Sequence, residues 1–200
     1  VTRDNGRSTP LGVTLHVGGC GATTVVTGGG TWPATPIQDA IDAAAPGTLI
    51  LVGPGTYREN VIIYKNTQLQ GAGAGSTFIN ASPVPNERVT AWHTKIADLI
   101  AAGDIGGVNA ALFDATEAPG ALVIGQPDTF DASNRGLFDG FTVLGGVSGG
   151  GIYAMLNTDY FEISNNKIMN NQGTFGGGIT VGTIEGGSAN DFINIHHNYA

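Results

Sequence analysis

Cysteine, basic residues and charge of any kind are scarce in this 200-residue chain, and each shortage closes off a class. The single cysteine, Cys20, permits no internal disulfide and no cysteine-built zinc site. A lone thiol of this kind reads as a small buried residue or a bystander. Eight Lys and Arg stand against sixteen Asp and Glu, for a net charge of −8. The eight are scattered, so no basic stripe exists to neutralise phosphates, and nucleic-acid binding is excluded. No apolar run approaches the ~18–20 residues of a membrane span. Charged residues make up 12% of the chain, about half the usual ~25%. Apolar residues make up 41%, the reverse of a disordered acidic tail. There is no strict Gly-X-Y period, so the chain is not collagen-like. Val1 is not an initiator Met and no signal-peptide pattern follows it. The expectation is a processed N-terminus or a piece of a longer chain.

What is abundant is glycine, 33 residues of 200, against an average near ~7%. Short β-rich runs alternate with these glycines. Leu11, Val13, Leu15 and Val17 alternate with small or polar residues, predicting a half-buried strand within residues 1–30, an N-terminal arm or the end of a preceding domain. A helix follows. Thr35 is its expected N-cap, Pro36 its first residue and Gln38 the partner in a capping box. Ile37, Ala40, Ile41 and Ala44 form one apolar face, and Pro46-Gly47 ends it. Strands are predicted at Thr48 to Val52, Asn60 to Ile63, Thr67 to Gln70 and Thr77 to Asn80. Turns are predicted at Gly53 to Thr56 and Gly71 to Gly75. An insertion at about 82–118 carries a helix with Val89, Trp92, Ile96 and Ile100 on one face, ended by Gly103. Strand rhythm resumes at Ala121 to Ile124.

The last third repeats. Phe138 to Val143 aligns with Ile163 to Ile168, an offset of 25. Gly149-Gly150-Gly151-Ile152 aligns with Gly176-Gly177-Gly178-Ile179, an offset of 27. Ile195 begins a third copy, 32 beyond Ile163, and Ala200 falls in mid-repeat. Self-similarity at this spacing predicts stacked rungs, with apolar residues in inward columns and glycine at the corners. Asn165, Asn166, Asn170, Asn171 and Asn198 are expected to form ladders between rungs. The fold class is therefore all-β: a right-handed parallel β-helix over 31–200 with an N-terminal capping helix and one inserted helix.

The run from Ile37 to Ala44, then Pro46-Gly47-Thr48 and Val52-Gly53-Pro54-Gly55-Thr56-Tyr57, resembles the opening of pectin-lyase-like right-handed parallel β-helix proteins. The segments at Asp139 to Thr142 and Ser164 to Ile168, each followed by Gly-Gly-Gly-Ile, resemble that superfamily's repeats. The likeness covers about residues 31–82 and 136–200. It implies a fold shared by polysaccharide lyases, polygalacturonases, tailspikes and non-catalytic surface proteins of secreted bacterial origin.

The chemistry is sparse. Asn157-Thr158-Asp159 resembles a polygalacturonase motif, whose hydrolysis needs neighbouring carboxylates. The next rung offers Glu185 and Asp191, and the Arg-x-Lys of that family is absent. Arg135 and Lys167 stand alone, without the acidic cluster that lyase chemistry requires. Gly146-Val147-Ser148-Gly149-Gly150 fits G-x-S-x-G, but the nucleophile elbow needs a helix after the turn and a β-rich run follows. Gly71 to Ser76 lacks the third glycine of a dinucleotide fingerprint. His196-His197 should point to opposite faces of a strand and chelate poorly. Asn80-Ala81-Ser82 is a glycosylation sequon. Asp139, Asp159, Glu162 and Asp191 are candidates for a sugar- or Ca²⁺-binding outer face; otherwise they are a solvated surface.

The expected function is an extracellular, non-catalytic module with a structural, adhesive or self-assembling (fibre-forming) role, glycan binding being a further expectation. The alternative is a lyase or hydrolase acting on an acidic polysaccharide. No catalytic residue is assigned and no cofactor is expected, Ca²⁺ being the one cation considered. Expected partners are a polysaccharide or a second copy, joined through the N-terminal arm or an open solenoid end.

Overall fold

Short β-branched runs separated by corner residues cannot form long strands, and the strands here are two to five residues long. A computed structural model describes residues 22–113, 115–183 and 190–200. The strand expected at Leu11 to Val17 and Cys20 lie outside the described residues. The fourteen strands are β1 (Thr23–Val26), β2 (Thr48–Val52), β3 (Gly55–Tyr57), β4 (Val61–Ile63), β5 (Thr67–Gly71), β6 (Thr77–Asn80), β7 (Ala121–Ile124), β8 (Leu137–Asp139), β9 (Thr142–Leu144), β10 (Ile152–Leu156), β11 (Glu162–Ser164), β12 (Lys167–Ile168), β13 (Ile179–Val181) and β14 (Asn194–His196). Two α-helices accompany them, α1 (Pro36–Ala43) and α2 (Glu87–Ala102).

The strands form three sheets, every pairing parallel. Sheet one has the order β1-β2-β5-β8-β11-β14, sheet two β12-β9-β6-β3 and sheet three β13-β10-β7-β4. From β2 onward the chain visits sheets one, two and three in turn and then begins again. This cyclic order is compatible with a β-helix-like solenoid. β1, which the sequence pattern did not single out, pairs with β2 from Thr23↔Leu49 to Val26↔Val52.

The register matches the internal repeat. Phe138 pairs with Ile163, Val143 with Ile168, Ile152 with Ile179 and Ile163 with Ile195. Ile50, Leu69, Phe138 and Ile163 thus form one column in sheet one, each fully buried. Tyr57, Ile79, Val143 and Ile168 form another in sheet two. A parallel strand puts alternate side chains on one face, and register fixes which of them meet.

Two details differ from the sequence expectation. The turn expected over Gly53 to Thr56 gives way to strand at Gly55, because β3 pairs with β6. The capping box at Thr35 does not form. The Thr35 hydroxyl donates to Asp39 Oδ1 (3.0 Å) and makes no bond to a helix amide. The cap comes instead from Glu59, after β3. Its Oε1 accepts from the Ile37 amide (3.0 Å) and its Oε2 from the Gln38 amide (2.9 Å). Gln38 turns away to bridge β4: its Oε1 accepts from the Ile62 amide (2.7 Å) and its Nε2 donates to the Ile62 carbonyl (3.2 Å). A buried carboxylate satisfies two orphan amides at once and meets the positive end of the helix, which a hydroxyl does less well. The apolar face of α1 is as expected, and it packs against β1, β2 and β4.

The inserted helix α2 buries Val89, Trp92, Ile96 and Leu99. Ile100, expected on that face, is only partly buried. Gly103 ends the helix in the left-handed conformation (φ 77°), its amide returning to Ile100. Lys95 of α2 reaches Asp42 of α1 at 2.7 Å, tying insertion to cap helix.

Candidate functional site

The corners that position the candidate site share one device. Gly140, Gly145, Asn157 and Asn165 all have positive φ (79°, 80°, 53° and 55°). The amide of the following residue is accepted by an asparagine Oδ1 one rung on: Phe141 by Asn166, Gly146 by Asn171, Thr158 by Asn190 and Asn166 by Asn198. The same asparagine donates Nδ2 to the carbonyl three residues back: Phe138, Val143, Met155 and Ile163, respectively. One side chain therefore meets both an amide and a carbonyl of the turn below it. The expected ladders at Asn166, Asn171 and Asn198 are present in this form. Asn190 was not picked out because the repeat containing it is longer, 32 residues rather than 25.

The corner glycines serve a second need, close approach. A Cβ on Gly120 would run into Val143, and one on Gly151 into Ile168. The corners can therefore pack tightly beneath the loops that carry side chains outward.

Between those corners and the insertion, over the outer face of sheet three, lies a groove of about 390 Å³. Ala111, Leu112, Thr116 and Glu117 of the insertion form one wall. The corner loops holding Ser148 and Phe175 form the other, and Tyr153 and Thr180 make the floor. An antiparallel bridge, Ala118↔Val147, joins the walls, and the hydroxyls of Thr116 and Ser148 lie 3.1 Å apart across them. The Thr174 amide donates to the Ser148 carbonyl, holding the two corner loops together. Phe175 is 73% exposed. Burial raises the Tyr153 phenol above its usual pKa, against a lowering hydrogen bond from Thr183; the Glu117 charge adds to the rise. The described lining contains no Lys, Arg or His.

The residues singled out in the sequence fall elsewhere, except Ser148. Its φ of 58° and the strand β10 that follows make it part of a corner rather than an elbow. Asn157 donates to the Gly125 carbonyl (2.9 Å) and the Thr158 hydroxyl to Asn190, so both serve the corner. Asp159 accepts from the Asp191 amide, which brings those two together on the exposed surface. Glu185 lies outside the described residues. Asp139 and Glu162 are brought together by Ser164, whose hydroxyl lies 2.8 Å and 3.2 Å from their oxygens. Gln70 and Asn165 also donate to Asp139. Arg135 lies over the Tyr160 ring and Lys167 over that of Tyr199. Asn80 Oδ1 accepts from the Ser82 amide, forming a local turn.

His196 and His197 correct the sequence reading. Their Nδ1 atoms lie 2.6 Å apart, because His197 has left-handed backbone (φ 54°) and strand alternation fails there. His196 Nε2 faces Glu162 at 3.2 Å. Among the described residues no three His, Cys, Asp or Glu side chains gather as a metal site built wholly from side chains would require. No helix among them is long and apolar enough to cross a membrane. Compared with known proteins, the chain matches no family model, no curated protein and no solved structure.

Proposed function

We propose that the chain is an extracellular, non-catalytic module built as a right-handed parallel β-helix of the pectin-lyase-like kind, and that its groove over sheet three binds a neutral glycan. The observation that carries this reading is the lining. Hydroxyls of Thr116, Ser148, Thr174 and Thr180 surround an exposed phenylalanine, with no cation among them. Hydroxyls both donate and accept, which suits sugar hydroxyls, and an aromatic face covers the apolar face of a pyranose. The volume falls within the ~300–1,000 Å³ typical of ligand sites. Glu117 and the net charge of −8 disfavour a polyanion.

Calorimetry with neutral hexasaccharides (glucan, mannan, xylan) and an oligogalacturonate tests this. A neutral sugar should bind, the oligogalacturonate should not, and Phe175→Ala should weaken binding at least tenfold, about 1.4 kcal/mol. Binding confined to the uronate, or release of reducing ends or unsaturated products that Asp159→Ala abolishes, overturns the reading.

A second reading, association of copies, rests on one observation. β14 lies at the edge of sheet one, and near it Phe192, Ile195 and Tyr199 are exposed, at 66%, 43% and 70%. An apolar edge strand is a template for pairing.

A further inference from the structure

The outer face of sheet one carries a chain of polar side chains that the groove does not use. Asp139, Ser164 and His196 share one register position in β8, β11 and β14, and Glu162 precedes Ser164 by two residues on the same face. The Ser164 hydroxyl lies 2.8 Å from Asp139 Oδ1 and 3.2 Å from Glu162 Oε1. The same Glu162 oxygen lies 3.2 Å from His196 Nε2. On the other side of that ring, His196 Nδ1 meets His197 Nδ1 at 2.6 Å, and the two rings are nearly perpendicular, at 86°. The His197 residue is exposed and the His196 side chain is 34% exposed, so the pair stands open to solvent.

A carboxylate only accepts, so His196 Nε2 carries the proton that faces Glu162, and Nδ1 holds a lone pair. That lone pair faces His197 Nδ1 at less than the ~2.7–3.2 Å of an ordinary N–H hydrogen bond. Two imidazole nitrogens this close share room for one cation, a proton or a metal ion. Their separation suits a metal whose ligands stand at right angles, since bonds of ~2.0 Å then put the nitrogens ~2.8 Å apart, against ~3.3 Å for a tetrahedral ion. Ca²⁺ and Mg²⁺ take oxygen ligands instead. A tetragonal shell of nitrogen and oxygen is the preference of Cu²⁺, which also stands highest in the divalent affinity order. A carboxylate on the remote N–H of a ligating imidazole fixes its tautomer and raises its basicity, and Glu162 stands in that place. We infer that His196 and His197 bind one Cu²⁺ through their Nδ1 atoms, with Glu162 positioning His196 and water completing the shell. The proton between the rings then passes through solvent to His197 Nε2. The net charge of −8 favours a cation at this surface.

The full chain is titrated with copper(II) sulfate at neutral pH in a non-coordinating buffer and followed by electron paramagnetic resonance. One tetragonal copper per chain is expected, with couplings to two imidazole nitrogens. His196→Asn and His197→Asn should each raise the midpoint at least tenfold with the circular dichroism unchanged. Glu162→Gln should raise it about tenfold and keep the two-nitrogen spectrum. His16→Asn and Cys20→Ser should leave the midpoint unchanged, and Zn²⁺ should need at least tenfold more metal than Cu²⁺. No saturable copper signal, a spectrum without two imidazole nitrogens, or binding that survives His197→Asn overturns the inference. Loss of binding in His16→Asn or Cys20→Ser places the copper elsewhere and overturns it too, and a midpoint indifferent to Glu162→Gln refutes the positioning role.

Discussion

Glu59 concentrates more of the local physics than any residue visible in the sequence pattern. It is 1% exposed and caps α1 from the neighbouring turn of the chain. Burial raises its pKa from 4.5 to about 7, against the lowering effect of the two amides; Asp39 adds to the rise and Arg88 opposes it. The folded state therefore holds this proton more tightly than the unfolded chain. Its contribution to stability is complete below about 4.5 and is lost as pH rises towards about 7. The shift corresponds to roughly 3 kcal/mol at ~1.4 kcal/mol per unit. Urea unfolding of the protein and of Glu59→Gln at pH 4.5 and pH 8 checks this. The stability difference between the two should move by about that amount in favour of Glu59→Gln at the higher pH. A difference independent of pH would mean that the carboxylate is better solvated by the helix amides than its burial indicates.

At the scale of elements, each corner divides its work between a residue in the left-handed region and an asparagine one rung away. The first needs only backbone freedom, which glycine supplies at Gly140 and Gly145 and asparagine at Asn165 and Asn157. The second needs an amide of the right reach, and no glycine can replace it. Asn170 (φ 56°) belongs to the first kind and Asn171 to the second. Asn170→Gly should therefore change stability by less than about 0.5 kcal/mol, whereas Asn171→Ala leaves the Gly146 amide unpaired and should cost about 1–3 kcal/mol. Denaturant midpoints measure both. Equal effects would show that the asparagines are kept for conformation alone.

At the scale of the molecule, the three parallel sheets bury their apolar columns completely in the middle rungs and less so at β13 and β14. Ile163 is fully buried, while its partner Ile195 in β14 is 43% exposed. If this edge joins copies, Phe192→Asp together with Ile195→Asp should lower the sedimentation coefficient at high protein concentration while leaving the circular dichroism unchanged. A wild-type chain that sediments as a monomer throughout refutes association. The glycan groove lies elsewhere, so its affinity should not respond to these substitutions.

The sequence by itself determined the strand rhythm, the register of the repeats, both helices and the need for asparagine at the corners. Those features are periodic or local: Phe138 over Ile163 follows from an offset of 25, and the end of α2 from Gly103. Only the tertiary structure decided what depends on meetings between distant segments. Thr35 looked like the cap of α1, but Glu59, 22 residues beyond Ile37, reached the amides first. His196 and His197 looked opposed until a left-handed residue turned one towards the other. The candidate site was not legible either. The groove needs the insertion beside two corner loops. Hydrophobic period encodes which face a residue takes within its own element, and it carries no information about which side chain from another element will face it.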